Sequence, residues 1–150
     1  IDYTRYDEGI YVGYRYFNTF KKRAIAYPFG HGLSYTAFKF DKMTVTEAEG
    51  GWTVKVNVKN TGKVAGKDVV QLYVKAPRKG LDKPERELKG FAKTPLLNPG
   101  ETCEVEIFIS KESLASYDES ARAWVTAKGR YTFIAAKDAL DKSRTRRISI

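Results

Sequence analysis

The sequence predicts an all-β fold, an antiparallel β-sandwich preceded by an aromatic-rich N-terminal extension. Three observations carry this reading. From Phe38 onward apolar residues recur at every second position in short runs, the period of a strand with one buried face. Clusters of Gly, Pro and Asn interrupt those runs roughly every ten residues, the spacing of a sandwich. A chain of 150 residues leaves room for a sandwich of roughly 100 residues and an extension. The predicted boundary lies at residue 35, with 1–35 as the extension and linker and 36–150 as the sandwich.

Residues 1–26 contain Tyr3, Tyr6, Tyr11, Tyr14, Tyr16, Phe17 and Phe20. Ile10, Tyr14 and Phe17 fall at helical spacing, but Gly9 and Gly13 oppose a long helix, so a mixed extended and short helical segment is expected. So many aromatics cannot bury one another in a few turns, and they require an external surface. Lys21-Lys22-Arg23 reads as a solvated loop. The stretch Tyr27-Pro28-Phe29-Gly30-His31-Gly32-Leu33-Ser34-Tyr35-Thr36 reads as a forced turn. Pro28 fixes its own φ and extends Tyr27, and Gly30 and Gly32 permit positive φ. Phe29, Leu33 and Tyr35 are expected to pin the turn against the sandwich. The rest of residues 1–35 is expected to be the least stable part of the chain, or to self-associate.

In the sandwich, Phe38, Phe40, Met43 and Val45 predict a first strand with a break near Asp41-Lys42, and Glu49-Gly50-Gly51 a turn. Trp52, Val54, Val56 and Val58 alternate with polar residues as one buried face. Asn60-Thr61-Gly62 and Gly66 form a loop. Val70, Leu72 and Val74 face inward on the next strand, with Tyr73 on the opposite side. Ala76-Pro77 to Lys83-Pro84 is a loop, because its prolines block pairing. Arg86 to Thr94 predicts a shorter strand in which a bulge at Gly90 keeps Leu88 and Phe91 inside. Leu97-Asn98-Pro99-Gly100 is a tight turn. Cys103, Val105, Ile107 and Ile109 alternate inward, and Ser110 to Tyr117 crosses between sheets. Trp124-Val125 lies in a strand, Lys128-Gly129 turns into Tyr131, Phe133 and Ala135, and Ile148 and Ile150 close the last strand.

Composition bounds the chemistry. A domain of this size needs no disulfide staples, and the single cysteine, Cys103, excludes an intrachain bridge. No run of apolar residues is long enough for a membrane helix, and Ile1-Asp2-Tyr3-Thr4-Arg5 does not read as a signal peptide. The compartment is left open between cytoplasmic and secreted or periplasmic. The net charge of +9 suits nucleic acid, anionic membrane or acidic polysaccharide. The charges are scattered, however, except at Lys142-Ser143-Arg144-Thr145-Arg146-Arg147, so solvated strand faces are the plainer reading.

No catalytic, cofactor-binding or metal-binding residue is assigned. Asp7 and Glu8 are adjacent carboxylates, and Glu8 is read as an ion-pair partner of a base such as Arg15. His31 lacks the companions of a metal site or a triad with Ser34, and reads as a turn residue bonded to backbone. Gly30-His31-Gly32 lacks the spacing and lysine of a phosphate loop. Cys103 reads as a small core residue. Tyr73, Tyr117 and Trp124 are candidates to stack on sugar rings, against the plainer reading of core or domain interface. Trp52 reads as core.

Several segments carry a family resemblance. Glu8-Gly9-Ile10-Tyr11-Val12-Gly13-Tyr14-Arg15-Tyr16-Phe17 and the Tyr27–Thr36 turn resemble the C-terminal region of family 3 glycoside hydrolases, the β-glucosidase group. Glu87-Leu88-Lys89-Gly90-Phe91, Leu97-Asn98-Pro99-Gly100-Glu101, Ser116-Tyr117-Asp118, Trp124 and Gly129-Arg130-Tyr131 resemble the fibronectin type III-like module of that family. The resemblance implies an immunoglobulin/fibronectin type III-like sandwich, with residues 1–35 as the tail of a preceding α/β domain. It implies a parent that removes β-linked sugars by a retaining, two-carboxylate mechanism without a metal, both carboxylates preceding residue 1. The partners it implies are the preceding catalytic domains, a second copy through residues 1–35, and the parent's carbohydrate substrate. Nucleic acid and membrane are not expected. The rival reading is a free-standing basic sandwich that binds acidic polysaccharide or nucleic acid.

Overall fold

A computed structural model describes residues 3–5 and 7–150. Ile1, Asp2 and Tyr6 of the aromatic segment and its leader reading lie outside the described residues. One short helix, α1 (Tyr14–Phe20), precedes the strands β1 (Phe38–Ala48), β2 (Gly51–Asn60), β3 (Val69–Lys75), β4 (Glu87–Lys93) and β5 (Thr102–Ser110). There follow β6 (Ser116–Asp118), β7 (Ala123–Val125), β8 (Arg130–Ala136) and β9 (Arg144–Ser149). One sheet has the order β1-β2-β5 and the other β4-β3-β8-β9, while β6 and β7 form a separate hairpin. Every pairing is antiparallel. The predicted all-β sandwich is the observed fold.

The alternation read in the sequence places the core between the sheets. Val54, Val56 and Val58 of β2 with Val105, Ile107 and Ile109 of β5 meet Val70, Leu72 and Val74 of β3 with Tyr131, Phe133 and Ala135 of β8. Trp52 joins them, its ring 6.3 Å from that of Phe133. Each large side chain so buried contributes about 1.5–3 kcal/mol. The break expected near Asp41-Lys42 is a bulge: Phe40 pairs with Val58 but Met43 with Val56. The extra residue returns Met43 to the buried face on which Phe40 lies.

The bulge in β4 also exists, with Leu72 opposite Gly90 and Tyr73 opposite Leu88. Its effect reverses the expectation for Leu88 and Phe91. Gly90 takes the inward position, where a Cβ would sit 2.6 Å from Ile107 Cγ2. Leu88 therefore packs in a second cluster on the outer face, and Phe91 is 71% exposed. No room remains between the sheets for a larger inward side chain at this point.

The sheets are stitched at one edge by arginine rather than by a ladder. Arg146 Nε donates to the Met43 carbonyl at 2.8 Å, and Arg144 Nε donates to the Asp41 carbonyl. Both acceptors lie at the β1 bulge, where backbone groups have left the ladder. Two arginines of the basic C-terminal run are thereby engaged at the sheet edge.

Tyr131, almost wholly buried, donates its hydroxyl to the Ala127 carbonyl at 2.8 Å. A strand tyrosine bonded to backbone a few residues upstream is the corner arrangement of immunoglobulin-like sandwiches. Replacing Tyr131 by Phe keeps the ring and removes only this bond. The expected cost is about 1 kcal/mol, read as a lower urea midpoint with an unchanged m-value.

Candidate functional site

Strand β3 has no solvent side over its central residues, Val70 to Val74. Its inward residues face the other sheet, and its outward residue Tyr73 is also fully buried, in a second cluster with Ile134, Ala136 and Ala139. Tyr14 and Leu88 pack against that cluster. The N-terminal segment is what covers it. The Tyr14 ring meets Tyr73 edge-on at 5.9 Å and stacks on Phe29 at 5.0 Å, and Tyr14 Oη accepts the Leu88 amide at 2.8 Å. Asn18, buried, donates to the Ala139 carbonyl at 2.7 Å, and Thr19 Oγ1 accepts the Glu85 amide at 3.0 Å. Burial pushes the Tyr73 phenol well above its ordinary range. Its hydroxyl donates to Gln71 Oε1 at 2.7 Å.

This docking differs from the sequence expectation in its agents. Leu33 and Tyr35 do not pin the turn: they are 96% and 100% exposed. Backbone hydrogen bonds do the work instead. The Phe29 carbonyl accepts the Ala139 amide at 2.8 Å, and the Gly30 carbonyl accepts Gln71 Nε2 at 3.1 Å. Gly30 has φ +81°, and a Cβ there would overlap the Gln71 amide. Gly32 does not adopt positive φ. The far end of the turn is tied by Asn60. That buried side chain accepts from Thr36 Oγ1 at 2.8 Å and from the Gly62 amide at 3.0 Å, and donates to the Val64 and Leu97 carbonyls. Sequence placed Asn60 in a loop; nothing local distinguishes a turn asparagine from one that closes two loops and a linker.

Ion pairs strengthen the docking. Arg15 pairs with Glu87 at 3.1 Å, not with Glu8, which is exposed. Glu85 lies among Lys75 at 3.0 Å, Arg78 at 2.6 Å and Lys22 at 3.9 Å, so the Lys21-Lys22-Arg23 loop contributes a contact. Burial raises the Glu85 pKa, but Lys75, Lys22 and Arg78 outweigh it and hold the carboxyl below its ordinary 4.5.

The remaining candidates separate cleanly. Asp7 is exposed and bound by Arg5 at 2.7 Å. His31 is exposed; its amide donates to the Pro28 carbonyl at 3.0 Å, and its ring lies 5.4 Å from that of Tyr27. The Ser34 hydroxyl accepts the Thr36 amide at 3.3 Å, a turn contact that leaves it apart from His31. Cys103 is half-buried against the core, and burial raises its pKa. Tyr73, a candidate for sugar stacking, is covered by Tyr14 and excluded from that role. Tyr117 and Trp124 stand opposite each other across β6–β7 and are exposed. They flank a groove of about 910 Å³ whose floor includes the buried Lys83, a residue that sequence reading left in a loop. No helix among the described residues is long and apolar enough to cross a membrane.

Residues 68–139 match the fibronectin type III-like domain family. These residues are a fibronectin type III-like domain, and the chain around them is similar to the part of family 3 β-glucosidases that carries one. A β-glucosidase of Ruminococcus albus is 45% identical over 138 residues, covering 89% of this chain and 14% of the relative. β-Glucosidase A of Butyrivibrio fibrisolvens is 42% identical, covering 93% of this chain and 19% of the relative. The solved structure of β-glucosidase 3B from Thermotoga neapolitana in complex with α-D-glucose superposes with a TM-score of 0.90 at 42% identity, covering 96% of this chain and 20% of that one. The module thus spans about a fifth or less of the length of these relatives.

Two outcomes are expected. Glu85→Gln lowers stability at neutral pH and flattens its acid dependence. A depressed carboxyl stabilises above the unfolded pKa and loses that contribution as pH falls through the folded one. The difference between wild type and variant in a urea titration should therefore shrink from pH 5 downward. Cys103 should react with a thiol reagent more slowly than free cysteine at pH 8, because burial both shields the thiol and disfavours its thiolate. Unfolding in urea should remove the difference.

Proposed function

We propose that this chain is the non-catalytic fibronectin type III-like part of a β-glucosidase-like glycoside hydrolase, and that its role is to support the preceding domains. The parent's activity, in this reading, is hydrolysis of O-glycosyl bonds of β-linked sugars. The domain division at residue 35 belongs to the same reading: residues 1–35 are the tail of the preceding domain and the linker. One observation carries the support role. Leu33 and Tyr35 are fully exposed although the turn that bears them is held on both sides, at Phe29–Gly30 and at Thr36. Two large apolar side chains held rigidly in water are costly unless another surface covers them. Among relatives the matching part is accompanied by several times its own length of chain, which supports such a neighbour as the cover. A second copy of this chain is the other occupant considered.

The chain by itself is expected to show no turnover of an aryl β-glucoside. Turnover abolished by Glu8→Gln would overturn the reading. In an intact β-glucosidase bearing this module, Leu33→Ser with Tyr35→Ser should lower the thermal midpoint of the whole enzyme. The isolated chain should keep its own midpoint, since those side chains touch nothing in it. A concentration-dependent mass in sedimentation, lost in the double variant, would assign the surface to self-association instead. Binding of heparin or DNA at 0.15 M salt would favour the basic binding-module alternative.

A further inference from the structure

The β6–β7 hairpin is a two-stranded unit outside both sheets, and such units are marginal by themselves. Its two largest side chains, Tyr117 and Trp124, form a cross-strand pair with ring centroids 5.7 Å apart at 68°. A cross-strand aromatic pair stabilises a hairpin, but that requirement is met with the rings covered as well as open. Here Trp124 is 70% exposed and Tyr117 49%. Trp124 borders two cavities: the groove of about 910 Å³ and a second of about 470 Å³ near Lys111 and Thr126. An occupant can therefore pass over the ring from one into the other, which suits an elongated molecule better than a compact one.

Polar groups on the groove are already oriented. Asp118 Oδ1 accepts the Ser120 and Ala121 amides at 2.9 and 3.1 Å, which fixes its carboxylate. Glu87 is held between Arg15 and Lys89 at 3.1 and 3.4 Å. Lys83 is only 5% exposed, and among the described residues the Ser116 hydroxyl is the sole acceptor its ammonium reaches. An ammonium has three donors, so two remain to be satisfied on a buried side chain, the situation in which a ligand oxygen is most valuable. The groove carries five carboxylates against three cations. Despite the chain's net +9, this lining disfavours acidic polysaccharide and nucleic acid as occupants.

We infer that the Tyr117–Trp124 groove is a binding site for a neutral oligosaccharide whose pyranose units carry equatorial substituents. A pyranose with equatorial substituents presents flat C–H faces to an aromatic ring, and its hydroxyls project at the rim, within the plane. Trp124 supplies the apolar platform and Tyr117 the wall at a steep angle to it. The Lys83 ammonium donates to ring-edge hydroxyls, while the Asp118 and Glu87 carboxylates accept from them through charge-assisted bonds. Apolar platforms with a few fixed polar groups are the general form of small-ligand sites. The site goes beyond the support role proposed above and does not depend on it: Leu33 and Tyr35 do not line this groove.

The test uses the 150-residue chain and cellotetraose as probe. Trp124 is the exposed member of the two tryptophans, so its fluorescence should change on titration, and amide shifts should concentrate at Lys83 and residues 116–125. Trp124→Ala should weaken binding by about tenfold or more. Because that change also removes one ring of the hairpin's own pair, Lys83→Met provides a second arm: both rings are retained, the free chain's amide changes stay confined to the surroundings of Ser116, which loses its ammonium partner, and affinity falls similarly. No shift at tens of millimolar cellotetraose would overturn the site. So would unchanged affinity in Lys83→Met, or tighter binding of oligogalacturonate than of cellotetraose.

Discussion

The structure depends on the double-sided burial of β3. A sandwich strand with one buried face needs only the opposite sheet; this one carries Tyr73 outward and buries it completely. A tyrosine in that position must be covered by something that supplies both apolar area and a hydrogen-bond partner. Tyr14, with Phe29 stacked on it, supplies the area, and Gln71 on the same strand supplies the partner. With this one constraint go the position of α1 and the course of the turn at Phe29–Gly30. The N-terminal segment is thus a third layer over part of the four-stranded sheet, placed by side chains that look like surplus aromatics in the sequence.

Charge is used locally rather than as a field. Arg144 and Arg146 close the gap between β9 and the β1 bulge. Lys22, Lys75 and Arg78 converge on Glu85 beneath the N-terminal segment, and Arg86 lies buried over the Tyr73 ring at 5.9 Å with its NH1 bonded to the Asp141 carbonyl. A basic composition is in this way partly a building material of the fold. The Tyr117–Trp124 groove has the opposite sign to the chain as a whole, so the net charge is a poor guide to what suits it.

The exposed apolar residues fall into two groups with different surroundings. Leu33 and Tyr35 project almost wholly into solvent from a tethered turn, a surface that suits a packed neighbour. Tyr117 and Trp124 stand over fixed carboxylates and an underused ammonium, the mark of a ligand site.

The period-two patterns at Trp52–Val58 and Cys103–Ile109, the turn at Asn98–Gly100 and the break at Asp41-Lys42 determined the sandwich, because strand alternation and turn chemistry are local properties of consecutive residues. The family resemblance rested on the same kind of local signal. What sequence could not decide is which outward residues stay outward. Tyr73, Tyr117 and Trp124 are equivalent in pattern, yet Tyr14 covers the first and nothing covers the other two. Leu88 and Phe91 share a face, but β4's bulge turns that face away from the core, since only Gly90 fits against Ile107. Asn60, Gln71 and Lys83 read as ordinary polar residues until long-range packing buries them and makes their few partners decisive. Those outcomes belong to the tertiary structure, because burial at each position is set by a segment distant in sequence.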